Sequence, residues 1–145
     1  MASRDAVTGL LSGDEMVRRI ERQKSSPSAL VCFELLDMDL MKATLGYDTS
    51  NAVVALVGKR ILDGSRDADV AARVGPERLA LLLPGIFDER TASEVASRLL
   101  RKFFEPATIA GLDLDLTAAI GIAMLDATTS GAEAVQRAQI ALDAA

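Results

Sequence analysis

The chain has 145 residues, 50% of them apolar and 26% charged, which is the length and composition of one globular domain with a single continuous core. A formal net charge of −5 with four Phe, one Tyr and no Trp leaves neither the basic footprint nor the stacking aromatics that polynucleotides require, and no apolar run reaches bilayer length. The lack of histidine removes zinc and Ser-His chemistry, lone Cys32 reads as a buried small hydrophobe, and an N-terminus without the layout of a secretory signal makes the cytoplasm the expected location.

In chain order, Ser12 and Glu15 have capping-box spacing, and Met16, Val17 and Ile20 recur at helical intervals, predicting a short helix from about residue 13. After the breaker Pro27, Ala29 to Leu35 is a compact apolar run interrupted only by Glu34, the pattern of a strand covered on both faces. Asp37 is placed to cap a helix in which Met38, Met41 and Leu45 share a face and which Gly46 stops. A second helix follows at once, with Val53, Leu56, Val57 and Ile61 as its stripe to about Leu62 and an end near Gly64. Val70 to Val74 and Leu79 to Leu83 predict a β-hairpin about the turn Gly75-Pro76-Glu77-Arg78. Thr91 and Glu94 form another capping-box spacing, ahead of a helix face of Ala92, Val95, Ala96, Leu99, Leu100 and Phe103. Leu112, Leu114 and Leu116 alternate with Asp113, Asp115 and Thr117, and the apolar run continues to Met124. That pattern predicts one half-buried strand with its aspartates on the solvated face, Gly111 in the preceding turn and some extra pairing around Ile109. Ser130 and Glu133 open a last helix with Val135, Ala138 and Leu142. Arg18, Arg19, Arg22 and Lys24 form a basic cluster near the first helix that reads as solvated surface.

The order α-β-α-α-β-β-α-β-α holds two β-α-β crossovers and a hairpin on one sheet. It predicts an α+β domain of the palm or ferredoxin-like kind, an antiparallel-containing sheet flanked by helices. Such a fold hosts many activities and decides none of them.

Four segments, set in order, carry a resemblance: Asp5-Ala-Val-Thr8-Gly9-Leu10, Leu45-Gly46-Tyr47, Asp69-Val70-Ala71-Ala72-Arg73-Val74-Gly75 and Ala119-Ile120-Gly121-Ile122-Ala123. In that order and spacing they resemble the DxLTGL opening, the LGH, the DxxxRxGGDEF hairpin and the SIGIA strand of the GGDEF, or diguanylate cyclase, family. The resemblance runs from about residue 5 to the end. It implies a palm-like domain in which two copies face each other, each holding one GTP, to make cyclic di-GMP with magnesium. Metal-assisted phosphoryl transfer of that kind needs carboxylates for the cation, backbone room beside the phosphates and a positive charge to steady them.

Against that pattern the signature is decayed. Where the family has Gly-Gly-Asp/Glu-Glu-Phe, this chain has Gly75-Pro76-Glu77-Arg78-Leu79. Pro76 deletes a backbone N–H and adds a ring, and Arg78 puts a permanent cation where the family has an essential Glu. An ungapped alignment from Leu45-Gly46 places Glu34 at the first metal Asp, Leu36 at the second acidic position, Asp39 at a phosphate-contacting Lys, Lys42 at the base-reading Asn and Asn51 at the base-reading Asp. A gapped alternative would instead equate Asp37-Met-Asp39-Leu-Met-Lys42 with the family's DxDxFK, at the cost of three residues deleted from a helix already in register. Glu34 and Glu77 could still hold a magnesium ion across neighbouring strands; the blander alternative seats Glu34 beside Arg78 or Lys42. Many family members also carry an inhibitory Arg-x-x-Asp site five residues before the signature, and Arg66-Asp67-Ala68-Asp69 stands in that register. An Arg can pair with phosphate or the Hoogsteen edge of guanine, and an Asp can accept from guanine N–H groups.

These readings imply one degenerate GGDEF domain over 1–145, lacking the family's last strand and excised from a larger protein. The expected role is a non-catalytic regulatory or dimerisation domain in bacterial cyclic di-GMP signalling, attached to an EAL phosphodiesterase or a sensor domain. The alternatives are a cyclic di-GMP receptor through Arg66 and Asp69, and a residual cyclase or GTP-binding domain. No cofactor is expected, and magnesium only if nucleotide binding survives. Expected partners are cyclic di-GMP, GTP, a second copy or neighbouring domains, with no nucleic acid polymer and no membrane contact.

Overall fold

The structure is a computed structural model that describes residues 3–23 and 26–145. Lys24 of the basic cluster lies outside the described residues. Along the chain run β1 (Leu11–Ser12), α1 (Gly13–Arg22), β2 (Ser28–Leu35), α2 (Met38–Leu45), α3 (Tyr47–Gly64), β3 (Val70–Gly75) and β4 (Arg78–Pro84). They are followed by α4 (Glu89–Phe103), β5 (Ala107–Ile109), β6 (Leu112–Leu114), β7 (Ala118–Leu125) and α5 (Gly131–Asp143).

The main sheet has the order β1-β3-β4-β2-β7, with β1 parallel to β3 and every other pair antiparallel. The connection β2-α2-α3-β3 steps over β4, and β4-α4-β7 steps over β2, so each crossover is a split β-α-β unit. This is the ferredoxin-like α+β arrangement that the element order predicts.

Strand alternation divides the core in two. On one face Val31, Phe33, Leu79, Leu81 and Leu83 meet Val53, Val57 and Ile61 of α3 and Ala96, Leu99 and Phe103 of α4. The Phe33 ring meets Phe103 edge-on with centroids 6.3 Å apart. On the other face Leu30, Cys32, Ala80 and Leu82 meet Met16 and Ile20 of α1 and Ala134, Ala138 and Leu142 of α5. Each fully buried Leu or Phe stabilises the fold by roughly 1.5–3 kcal/mol, so the eight-residue interior strand β2, apolar toward both faces, anchors the domain. Burial also pushes the Cys32 thiol up to about 12.

The second face uses small residues where helices come close. A Cβ at Gly121 would overlap the Ala138 carbonyl and lie 2.5 Å from the Leu142 nitrogen, so α5 rests directly on the backbone of β7. Ser12 and Ser130 cap α1 and α5 by accepting from Glu15 and Glu133 N–H, as their spacing predicts. Gly46 at φ 89° separates α2 from α3.

Three local expectations are corrected. Asp37 stands at the N-cap of α2 but adopts φ 61°, not the extended conformation of a capping residue, and makes no cap hydrogen bond. The second capping box is displaced, because Asp88 caps α4 and Thr91 donates to it from N–H at 2.8 Å and from Oγ1 at 2.9 Å. The strand predicted from Leu112 to Met124 is two strands. β6 folds back on β5 through Ala110 and Gly111, both at positive φ, and β7 starts only at Ala118. Of the aspartates predicted on its face, Asp113 accepts from Thr108 Oγ1 across the hairpin at 2.7 Å. The two-residue β1 was too short for any periodicity to reveal.

Candidate functional site

The turn between β3 and β4 is surrounded by charged residues from five elements or loops. Antiparallel register sets Arg78 opposite Glu34, and Arg78 Nε donates to Glu34 Oε2 at 2.8 Å. The same guanidinium reaches across to α5, donating from Nη1 to Gln139 Oε1 at 2.9 Å and from Nη2 to Asp143 Oδ1 at 2.6 Å. The hydrogen bond to Asp143, offset in part by burial and helped by the Glu34 charge, holds the Arg78 pKa above its ordinary value. Glu77 accepts from Lys42 Nζ of α2. That bond raises the Lys42 pKa.

Behind the turn, Arg73 of β3 donates to the Pro76 carbonyl from Nε at 3.2 Å and from Nη2 at 2.6 Å, while its Nη1 lies 3.2 Å from Asp5 Oδ1. Asp5 also accepts from Thr8 N–H and Oγ1, each at 2.8 Å. Burial raises the Asp5 pKa, but the Thr8 hydrogen bonds and the Arg73 charge outweigh it and leave the carboxyl below its ordinary 3.8. The Asp-x-x-Thr opening is therefore a folded turn tied to the signature turn.

Three cavities adjoin this end of the sheet. One of about 340 Å³ is lined by Glu34, Leu36, Asp37, Leu40 and Glu77, among others. A smaller one, about 180 Å³, has Lys42, Tyr47, Asn51, Arg73, Pro76 and Glu77 in its wall, so the two positions that the ungapped alignment equates with base-reading residues do face one space. The third, about 500 Å³, opens between Asp5, Ser12, Asp14, Arg73 and Pro76.

Glu34 and Glu77 thus border one cavity, but each is already engaged by a cation of the chain itself. Among the described residues no group of three or more His, Cys, Asp or Glu converges. One or two carboxylates with waters and substrate phosphates would suffice for magnesium, but Glu34 and Glu77 are both spent on the chain's own cations and as arranged do not fit it.

Arg66 and Asp69 lie in the loop before β3. Asp69, its side chain only 4% exposed, accepts from Arg66 N–H at 2.8 Å and from Arg66 Nε and Nη2 at 2.9 and 2.7 Å. Arg66 also donates to the Pro84 carbonyl at 3.2 Å yet stays 56% exposed. A cleft of about 80 Å³ runs from this pair to Arg98 of α4. Sequence reasoning missed Arg98, as it missed Gln139 and Asp143, because each meets its neighbours only after a helix has packed on the sheet. The basic cluster of α1 has a structural centre: Arg18, Arg19 and Arg22 gather at 2.9, 3.8 and 3.5 Å around the buried Glu15 carboxylate.

The family model for the diguanylate cyclase GGDEF domain matches residues 2–145, and the chain belongs to that family. Among curated proteins it is 28% identical over 131 residues to the cyclic di-GMP phosphodiesterase NbdA of Pseudomonas aeruginosa, covering 86% of this chain and 16% of that protein. The chain spans less than a fifth of the length of the two curated relatives it matches, 16% and 18%. Among solved structures, the FimX GGDEF domain of Pseudomonas aeruginosa superposes with a TM-score of 0.85 at 24% identity over 100% of this chain and 94% of that one. The GGDEF domain of DgcB from Caulobacter crescentus, solved in complex with c-di-GMP, superposes with a TM-score of 0.81 at 22% identity, over 97% and 85% of the two chains. At these identities the structural likeness establishes the fold. No helix among the described residues is long and apolar enough to cross a membrane.

Proposed function

We propose that this domain is a non-catalytic regulatory module of bacterial cyclic di-GMP signalling, working in the cytoplasm as part of a longer chain that carries an EAL phosphodiesterase or sensor domain. The observation that carries the reading is the engagement of both remaining carboxylates. Arg78 holds Glu34, and Lys42 holds Glu77, so the groups that would have to bind magnesium are neutralised from within. Pro76 removes a further donor from the turn. Phosphoryl transfer depends almost wholly on positioning and charge, and the pairing of both carboxylates with cations of the chain supports a site without that function. The matching phosphodiesterase, much longer than this chain, supports placement in a multidomain protein of that signalling system.

Incubation with GTP and magnesium, followed by chromatography of the products, tests the reading. Unchanged GTP is expected; a cyclic dinucleotide would make the domain a residual cyclase and end the proposal.

A second reading is favoured by one arrangement. Arg66 is held by Asp69 with its side chain 56% exposed, and Arg98 stands across a narrow cleft. Two arginines and a carboxylate suit a guanine dinucleotide lying over the rim, with the arginines toward phosphate or guanine Hoogsteen edges. Calorimetric titration of cyclic di-GMP into the domain and its Arg66→Ala variant decides it. Micromolar binding lost in the variant makes the module a receptor, and the absence of heat in both removes that role.

A further inference from the structure

Four of the nine large apolar side chains exposed among the described residues fall between 36 and 47: Leu36 at 41%, Leu40 at 68%, Leu45 at 36% and Tyr47 at 72%. They do not scatter. The 340 Å³ cavity is walled by Leu35, Leu36, Met38 and Leu40 but also by Glu34, Asp37, Asp39 and Glu77, and a groove of about 260 Å³ beside it is walled by Leu40, Met41, Thr44 and Leu45 with Asp37 at its edge. Asp37 and Leu40 border both, so an apolar trough along α2 adjoins an acidic hollow. Single exposed leucines need no explanation, but a contiguous apolar trough on a charged domain marks a contact surface.

The rim defines the partner's charge. Asp37 and Asp39 are exposed beside the trough, and Asp48 is exposed just beyond it. The nearby cation, Lys42, is engaged by Glu77 and lies 3.9 Å from Asp39, while Arg78 is engaged by Glu34 and Asp143. The α2 surface therefore presents an apolar groove beside an acidic hollow whose nearby cations are already committed. An apolar groove next to carboxylates suits an apolar anchor with a cation one helical turn away, the spacing of i and i+3 or i+4 side chains.

We propose that the α2 trough is a docking site for a cationic amphipathic helix of a protein partner, with an apolar anchor seated against Leu40, Met41 and Leu45 and Lys or Arg residues facing Asp37 and Asp39. The interaction uses surface chemistry alone. It goes beyond the regulatory reading, since it rests on the exposed side chains of α2 and not on the engaged Glu34 and Glu77, and GTP turnover would overturn that reading without deciding peptide binding.

The probe is a helical peptide of about 18 residues built from Leu and Lys at helical spacing, with a Leu–Glu counterpart of the same pattern. Both are titrated calorimetrically into the wild-type domain and into Leu40→Asp, Asp39→Lys and Ile140→Asp variants. Leu40 and Asp39 are exposed, so those variants keep the fold, and Ile140, 59% exposed on α5, controls for a charge placed elsewhere. The Leu–Lys peptide is expected to bind in the micromolar range and the Leu–Glu peptide not to bind. Leu40→Asp and Asp39→Lys should each weaken binding by about tenfold, and Ile140→Asp should leave it unchanged. Hydrogen exchange of residues 36–47 should slow when the peptide binds. Equal affinity in wild type and Leu40→Asp, equal binding of both peptides, or binding of neither overturns the proposal.

Discussion

The signature turn and the loop before β3 both present an arginine beside an aspartate or glutamate, yet they are built in opposite ways. Arg78 reaches Glu34 on the neighbouring strand and Gln139 and Asp143 on a helix more than sixty positions later in the chain, and it is only 23% exposed. Arg66 finds Asp69 three residues away and remains 56% exposed. Long-range partners turn a charged group into a clasp that can be opened only by moving whole elements. A local partner merely fixes a side chain in place and leaves its outer face for a ligand. The same residue types thus close one region and leave the other available, and the difference lies in sequence separation and burial.

The largest effect is expected at the clasp. Arg78→Glu sets three carboxylates around one point and should lower stability by about 2–4 kcal/mol in urea unfolding. Added magnesium should then raise the thermal midpoint of the variant and leave the wild type unmoved. A variant insensitive to magnesium would show that the end of the sheet cannot gather oxygen ligands even when its cation is removed. Arg73→Ala, which frees Asp5 and the Pro76 carbonyl together, should cost about 1–2 kcal/mol by the same measurement.

Acid sharpens the contrast further. The folded-state pKa of Asp5 is depressed, so its contribution is complete above the unfolded value of 3.8 and is lost as pH falls through the lower folded value. Between about pH 5 and 2, Asp5→Asn should therefore flatten the fall in stability relative to wild type. An identical slope in both proteins would mean that the Arg73 link contributes nothing. The smallest effect is expected at Arg66→Ala, below about 1 kcal/mol for a half-exposed local pair, while the cyclic di-GMP titration is where its loss should register.

Much of the fold was legible because its elements follow simple rules. The split β-α-β order, the two-sided strand β2 and the serine caps of α1 and α5 all follow from period and capping chemistry. What escaped was set by backbone conformation or by distance along the chain. The turn at Gly111 and pairing at Ile109 were legible, but alternation through Leu116 looked like one strand because residues 115–117 continue the pattern although the chain leaves β6 at Leu114 and enters the main sheet only at Ala118. Asp88 outcompeted Thr91 as the cap of α4, although both are good capping residues and only one can stand at the first turn. At the candidate site, the altered residues Pro76, Glu77 and Arg78 were visible in the sequence. The pairing of Glu34 with Arg78 was among the alternatives, but Lys42 as the partner of Glu77, and Gln139 and Asp143 as partners of Arg78, were not, since no local pattern encodes which helix end meets which strand end.

Burial of Cys32 gives the domain a built-in clock. With its thiol pushed up to about 12, almost none of it is thiolate at neutral pH, and a 1% exposed sulfur is closed to reagents besides. β2 is flanked by β4 and β7, so fraying of β1 or of the β5–β6 hairpin leaves this sulfur covered. The rate at which an alkylating reagent marks the chain in dilute denaturant therefore counts openings that lift α1 or α5 from this face or part the sheet, one event per molecule, with no label to be introduced.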